Sequence, residues 1–464
     1  MNKIFNILFF ILLIIVLFLK PDFESTLDAS KLLLYSSIFL GSTVIHLYKY
    51  SKIYKNWFRL DVFFLLGFAI VHFQWPIMFS ASGIIPEIIS RVWVDELYVN
   101  YGTWLSTVGG ISWILGFSFI KSESLSKRNI RFFQYKKFLN FTIFLFILFL
   151  ITAGQNFLTG GVYKGEGGSA AGEGISAYIQ ILFSVSIILL TTIIILNNKS
   201  RYNNNLLKWF FSFDKKYLVL YFTYLLLFLF IGDRDGPISL ILTTVILIGS
   251  MIHPFKLRTL LITVFVGGFF MSIISLGRSR DSGIGLFSSG LEDFTLTSGY
   301  DITLELATSV RTLYAAISEV PQKHDFFYGK LWTSNLLAPF PFAQSFYLDL
   351  TNDVSHELGS AGYITYLSYG PDASMGAGTS LIADIYLNFG VIGVIFFMFL
   401  LGLTFKKSHN SLKSYNNMRW IVVGAILAGF SIYFGRGSLL LVARPIIWSF
   451  VLLYIFSKLN TIKN

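Results

Sequence analysis

Residues 177–196 of the chain, AYIQILFSVSIILLTTIIIL, form a continuous apolar stretch without a charged side chain. At a rise of about 1.5 Å per residue, a helix of this length covers about 30 Å, which is the thickness of a bilayer's hydrocarbon core. Such a helix satisfies its own backbone hydrogen bonds, whereas a barrel strand would show a period-two alternation that is missing here. The stretch therefore predicts a transmembrane helix.

Stretches of the same kind recur along the whole chain. Of the 464 residues, 54% are hydrophobic and only 13% are charged, against about 25% charged in an ordinary soluble domain. The fold class predicted is all-α, a polytopic transmembrane helical bundle of about twelve spans. The first stretch is interpreted as a retained helix rather than a signal peptide, because no small-residue cleavage pattern follows it. Hydropathy predicts the spans at 4–19, 32–48, 61–80, 103–120, 138–157, 177–196, 217–231, 237–252, 257–276, 379–404, 418–434 and 438–456.

The formal net charge of +11 is concentrated in every second connection between the predicted spans. The positive-inside rule places these connections in the cytoplasm, so both termini are predicted to be cytoplasmic in the inner (plasma) membrane. The positive charge is thus an orientation signal, and no nucleic-acid partner is expected. The basic residues are Lys49, Lys52, Lys55, Arg59, Lys121, Lys127, Arg128, Arg131, Lys136, Lys137, Lys199, Arg201, Lys208, Lys215, Lys216, Lys256, Arg258, Lys406, Lys407, Lys413 and Arg419.

The connection at 278–378 is much longer than the others and lies on the opposite, extracytoplasmic side. It divides the chain into helices 1–9 (1–277), a large loop (278–378) and helices 10–12 (379–464). The loop holds five basic and eleven acidic residues, and its many aromatic side chains supply apolar area for packing against the membrane surface. We expect a partly helical capping loop whose short helices are broken at Pro321, Pro339 and Pro341.

Four arginines lie near the predicted outer boundary, where the positive-inside rule disfavours them: Arg234, Arg278, Arg280 and Arg436. Arginine binds oxyanions through a fork of N–H donors, so a cluster at one depth predicts a site for a phosphate or diphosphate ester. The alternative is that each arginine reaches lipid headgroups or pairs with a neighbouring acid.

Carboxylates near the same boundary allow further interpretations. Asp233 and Asp235 flank Arg234 in an Asp-x-Asp pattern that could hold a divalent cation, although no metal is predicted because the arginines could neutralise a diphosphate. Asp384, with Asn388 one turn deeper, is a candidate general base or arginine partner. Its alternative role is an interhelical hydrogen-bond anchor.

Four stretches carry a resemblance to a known family: GDRDGPISLIL (232–242), GRSRD (277–281), FFYGKLWTSNLLAPFP (326–341) and GTSLIADIYLNFGVIGVIFF (378–397). With these motifs and its span order, the chain resembles the Wzy-type O-antigen and oligosaccharide repeat-unit polymerases, which are related to O-antigen ligases. The resemblance implies a lipid-linked glycosyltransferase that joins repeat units carried on polyprenyl diphosphate at the outer face of the inner membrane.

The same resemblance implies roles for individual residues. Arg234, Arg278, Arg280 and Asp384 are the expected catalytic residues. Arg234 fits the first arginine of ligase-like relatives and Arg311 the second, while no histidine occupies the third place near 379–384, where Asp384 is the nearest substitute. Residues expected to bind diphosphate or substrate are Arg311, Arg436, Asn388, Tyr328, Lys330 and Trp332.

No cofactor and no nucleotide is expected, because the lipid diphosphate is itself the leaving group. Partners would be polyprenyl-diphosphate-linked glycans, membrane lipids, and possible partner proteins of flippase and chain-length-regulator type. Two other functions stay open at this point: a flippase or transporter of lipid-linked oligosaccharide, and an O-antigen-type ligase. The asymmetric external loop and the lack of visible repeats favour the polymerase over a transporter.

Overall fold

The computed structural model of the protein describes residues 2–82, 95–121, 135–160, 174–278, 280–294, 303–373, 376–415 and 417–461. Within these ranges the chain is helical and contains no strand, which confirms the all-α prediction. The longer helices are α1 Asn2–Phe18, α2 Ala29–Tyr54, α3 Leu60–Ser82, α4 Val99–Phe119, α5 Tyr135–Thr152, α6 Ile175–Asn198, α7 Lys215–Ile231, α8 Asp235–Met251, α9 Leu257–Gly277, α10 Gly283–Asp293, α11 Arg311–Glu319, α12 Ala343–Thr351, α13 Ser360–Tyr369, α14 Leu381–Ser414, α15 Met418–Phe430 and α16 Ala443–Thr461.

Each predicted span overlaps one of the helices α1–α9 or α14–α16, and the ends differ most at α14, which is predicted to end at 404 and ends at Ser414. Six of the described helices, namely α2, α3, α5, α6, α9 and α14, are long and apolar enough to cross a membrane. Four shorter apolar helices lie in α1, α8, α15 and α16. The structure therefore fits a membrane helical bundle, and the number of twelve crossings stays a prediction.

Helices α4 and α14 pack closely at the centre of the bundle. A Cβ atom added at Gly116 of α4 would overlap the carbonyl oxygen of Phe399, and one added at Gly402 of α14 would overlap that of Trp113. Small residues at facing positions let two helix backbones approach each other. This pair places the first residues of α14, including Asp384, next to the start of α4.

Several basic connections meet at one end of the bundle, called here the basic end and formed by the C-terminal ends of α2, α4, α6, α8 and α14. The Lys199 ammonium lies 3.3 Å from the ring centroid of Tyr415, whose hydroxyl donates to the Met251 carbonyl at 2.7 Å. Asn410 donates to the Lys121 carbonyl at 2.9 Å. The structure thus groups these connections as the charge pattern predicts, and which side of the membrane they face stays a prediction.

The opposite end, called the cap end, carries the described part of the large loop. Its contacts reach several long helices: Trp448 of α16 donates to the Pro339 carbonyl at 2.8 Å, and Tyr386 of α14 donates to the Val320 carbonyl at 3.0 Å. Thr303 donates to Gln74 of α3 at 2.7 Å. Helix α11 ends two residues before Pro321, and Pro339 and Pro341 precede α12. The loop is therefore a partly helical cap, while the exact limits of the three predicted segments stay a prediction.

Candidate functional site

The connection between α7 and α8 forms one corner of the cap end. Helix α7 ends where Gly232 adopts a φ of 91°, a left-handed conformation that glycine tolerates best. Asp233 then accepts a hydrogen bond from the backbone N–H of Asp235 at 3.1 Å. Arg234 donates from Nη1 to the Met271 carbonyl of α9 at 3.0 Å. The turn therefore fixes Arg234 against α9. This helix ends six residues after Met271, and Arg278 follows directly.

Asp233 is the electrostatic centre of this corner. Burial raises its pKa to about 7, and the neighbouring Asp235 contributes to the rise. Arg234 and Arg278 act in the opposite direction and favour the ionised form. Two arginines that are distant in sequence thus lie within electrostatic range of one carboxyl group. At neutral pH that carboxyl group occurs in both its protonated and its ionised form.

The other predicted arginines make separate contacts. Arg280 forms an exposed ion pair with Asp293 of α10 at 2.9 Å, an acid that is distant in sequence rather than a neighbouring one. Arg311 donates to the Tyr369 hydroxyl at 2.8 Å. Arg436 lies exposed on the short turn that follows α15. The charges of Arg234 and Arg278 both act on Asp233, and convergence of the arginines on one site stays a prediction.

Asp384 lies fully buried near the start of α14 and accepts three hydrogen bonds. Its donors are the Trp332 indole at 2.9 Å, the Ser360 hydroxyl at 2.5 Å and the Leu439 backbone N–H at 2.9 Å. These donors come from the cap, from α13 and from the connection between α15 and α16. Asp384 therefore has the surroundings of the hydrogen-bond anchor that the sequence left open as its alternative role.

Helix α14 is interrupted shortly after Asp384. Gly390 has φ 61° and ψ −156°, and the interruption frees carbonyl groups of the preceding turn. Phe327 and Tyr328 of the cap donate their backbone N–H groups to the carbonyls of Leu387 and Asn388 at 3.0 and 2.9 Å.

The Asn388 side chain extends this contact. Its Oδ1 accepts from the N–H groups of Gly329 and Leu331 at 3.0 and 3.3 Å. Its Nδ2 donates to the Asp384 carbonyl at 2.8 Å. Asn388 therefore joins the cap to α14, and any contact of its side chain with substrate stays a prediction.

The three cap residues predicted to bind substrate differ in their surroundings. Lys330 forms ion pairs with Asp353 at 3.1 Å and Glu357 at 2.7 Å, and the hydrogen bond that it donates to Glu357 raises the pKa of Lys330. Trp332 is only 8% exposed. Tyr328, by contrast, is 71% exposed. Lys330 holds parts of the cap together, and Trp332 joins the cap to α14. Tyr328 has an exposed ring, and its contact with a sugar stays a prediction.

Sequence reasoning did not single out Ser360, Tyr363 or Asp353. Tyr363 hydrogen-bonds to His324 Nε2, and Asp353 pairs with Lys330. These contacts join parts of the cap that are far apart along the chain, and no spacing rule could have found them. Within the described ranges, no three His, Asp or Glu side chains are grouped so that they could hold a metal ion, and metal independence stays a prediction.

A bundle of apolar helices with a partly helical cap at one end defines a polytopic membrane protein. The family model described as O-antigen polysaccharide polymerase Wzy matches residues 2–464. The chain belongs to this family, which confirms the resemblance found in the sequence. No curated protein and no solved structure matches the chain.

Family membership establishes the general activity and location. The protein is a glycosyltransferase-like polymerase of polysaccharide biosynthesis that acts in O-antigen repeat-unit polymerisation. It is a multi-pass protein of the inner membrane.

Proposed function

We propose that the protein joins repeat units carried on polyprenyl diphosphate, with its cap end at the outer face of the inner membrane. The observation that carries this proposal is the approach of Arg234 and Arg278 to a single carboxyl group, Asp233. Two guanidinium groups held by different helices provide a preorganised site for the diphosphate. The cap above them would keep two glycans in register, and other proteins, such as a flippase and a chain-length regulator, would deliver substrate and limit growth.

In the proposed reaction, a hydroxyl group of the incoming repeat unit attacks the anomeric carbon of the growing chain. The bond between this carbon and the diphosphate oxygen breaks, and polyprenyl diphosphate leaves with the bonding electrons. Negative charge therefore grows on the diphosphate, where Arg234 and Arg278 stabilise the transition state more than the ground state. The energy of the broken glycosyl diphosphate bond drives the step, so that no nucleotide is consumed.

Asp233 is the proposed acceptor of the hydroxyl proton. A general base works best when its pKa lies near the operating pH, and the pKa of Asp233 is raised to about 7 by burial. Asp384, whose carboxylate already accepts three hydrogen bonds, is assigned a positioning role. It would hold the cap and the connection between α15 and α16 in place over the site.

Reconstitution of the purified protein in liposomes tests the proposal. With lipid-linked repeat units as the only substrate, a ladder of longer glycans is expected from the wild type and its loss from Arg278→Ala. Arg258→Ala removes an exposed arginine at the other end of α9 and serves as the matched control, which should keep the ladder. Movement of substrate between leaflets without longer products would contradict the proposal and indicate the flippase alternative.

A further inference from the structure

The basic end contains a group of lysines of which two, Lys49 and Lys406, lie inside the protein and one, Lys413, is half-buried. The buried lysine cluster, defined as Lys49, Lys406 and Lys413, surrounds the stacked rings of Tyr50 and Tyr54. The ammonium groups of Lys406 and Lys49 lie 4.3 and 4.9 Å from the ring centroid of Tyr50. Their residues are only 0% and 3% exposed, respectively. Two buried cations thus share one aromatic ring.

The carboxylate of Asp61, which lies in this region, is already paired with other residues. Asp61 accepts two hydrogen bonds from Arg59, each of 2.9 Å, and its Oδ2 lies 3.2 Å from His46. The charged groups that act on Lys406 are Asp61, Lys49, Arg59 and Lys413. Among the residues that the structure describes here, four cationic side chains therefore share one carboxylate, which leaves an excess of positive charge.

Several buried polar groups in the same region have no hydrogen-bond partner among the described residues. They include the Lys49 ammonium, the Tyr50 hydroxyl and the His409 ring, of which a neutral imidazole offers one N–H donor. The His409 ring lies 4.4 Å from that of Tyr54, so these donors border the lysine cluster. The Lys406 ammonium donates to the Tyr54 hydroxyl at 2.7 Å. Around Lys49, the aromatic rings offset part of the cost of a buried ammonium, but their faces accept none of its strong hydrogen bonds. Unmet donors and excess positive charge together are the features of an anion site.

We propose that the buried lysine cluster binds a phosphate group. Phosphate offers several acceptor oxygens and more than one negative charge, which suits three ammonium groups and a hydroxyl better than a single-acceptor anion does. Lys413 is half-buried and lies 4.6 Å from the Tyr54 ring centroid, at the rim of the cluster. The group enters past this rim as the headgroup of an anionic phospholipid or as a soluble phosphate. Bound there, it ties α2 to the C-terminal end of α14.

The test compares buried with exposed lysines in protein exchanged into detergent until native mass spectrometry detects no bound phospholipid. Lys49→Met and Lys406→Met change the cluster. Lys52→Met and Lys407→Met remove the same charge from exposed neighbours on the same helices. Melting temperature is measured while phosphatidylglycerol, phosphatidylcholine or sodium pyrophosphate is added. A ligand that binds only the folded protein raises this temperature in proportion to its affinity.

The wild type and both control variants are expected to gain stability from phosphatidylglycerol, from pyrophosphate or from both, and little from phosphatidylcholine. The arm that responds identifies the source of the phosphate. Each cluster variant should bind about tenfold more weakly, because it lacks one charge-assisted hydrogen bond. If Lys406→Met folds poorly, Lys406→Arg takes its place in the test. This variant keeps the charge and should retain binding. Equal responses in cluster and control variants, or no response in the wild type, would overturn the proposal.

Discussion

Asp233 is the residue on which the proposed chemistry depends. It lies in the turn between α7 and α8 beside Arg234, the charge of Arg278 at the end of α9 acts on it, and its pKa is raised by burial to about 7. Because the base must be ionised, the polymerisation rate of the wild type should fall as the pH decreases through 7.

Substitution Asp233→Asn should lower the rate at every pH and flatten the profile near 7. The pH dependence of folding stability gives an independent test, because stability should fall as the pH rises whereas the rate should increase. A carboxyl group whose pKa is higher in the folded than in the unfolded protein stabilises the fold at low pH and loses this effect between about 4 and 7. The variant should lack this loss in pH-dependent melting. An unchanged rate profile would exclude Asp233 as the proton acceptor.

Asp384 makes a different prediction because its carboxylate accepts hydrogen bonds from three separate parts of the structure. Asp384→Ala leaves buried donors at Trp332 and Ser360 unpaired and should destabilise the protein by about 3 kcal/mol, given a cost of about 1–3 kcal/mol per unmade buried bond. Asp384→Asn keeps one acceptor and should retain part of both stability and activity. A stable Asp384→Asn protein without any activity would instead indicate a direct role in the reaction.

At the residue scale the sequence predicted which side chains are unusual but not how they pair. Arg234 and Arg278 stand out because arginine is disfavoured near an outer membrane boundary. The pairing of Arg280 with Asp293 and the contact of Arg311 with Tyr369 depend on how the cap folds. Local sequence does not specify such long-range contacts.

At the scale of elements, the interruption of α14 is the feature that docks the cap. A Cβ atom at Gly390 would meet Phe326 at 2.9 Å, and its φ of 61° disfavours any L side chain. Gly390→Ala should therefore loosen residues 326–332, lower the melting temperature and increase proteolysis of the cap.

Gly267→Ala is the matched control, since Gly267 lies within helix α9 and a Cβ atom there meets nothing within 4 Å. Alanine in a helix is favoured over glycine by about 0.5–1 kcal/mol, so this variant should be at least as stable as the wild type. Equal cap proteolysis in both variants would contradict the docking role of Gly390.

Helix α12 presents an apolar face that the protein does not cover. Phe346 and Leu350, one turn apart, are each 66% exposed, whereas Tyr347 hydrogen-bonds to Asp353 at 3.2 Å. Because Trp448 and Tyr178 hold the preceding residues against α16 and α6, we expect this face to lie in the outer membrane interface.

Brominated lipids test the position of α12. The quenching that each new tryptophan adds is measured against the unsubstituted protein. It should be stronger for Phe346→Trp than for Lys323→Trp, in which the new ring replaces an exposed charged residue. Equal added quenching would place α12 away from the lipid.

The sequence predicted the long helices because each is a separate apolar stretch, and it predicted short helices in the cap from its prolines and aromatic residues. It did not predict the interruption at Gly390, since a single glycine within an apolar stretch is common in membrane helices. The docking of Phe327 and Tyr328 on the freed carbonyls is visible only in the folded protein.

At the scale of the whole molecule, the two ends of the bundle differ in charge and in structure. The positive-inside pattern predicted a basic end, and contacts among α2, α4, α6, α8 and α14 confirm that these connections meet. Lys49 and Lys406 belong to the basic connections of this pattern, and both are buried. A charge pattern reports the end of the bundle on which a lysine lies but not whether it points inward.

The central claim is that Arg234 and Arg278 hold one diphosphate together, and a double-mutant cycle of polymerisation rates in liposomes tests it most directly. Residues that act as one unit lose most of their effect when either is removed. Arg234→Ala and Arg278→Ala should each cost nearly as much activity as the double variant. Losses that multiply independently, or full activity in either single variant, would contradict the claim.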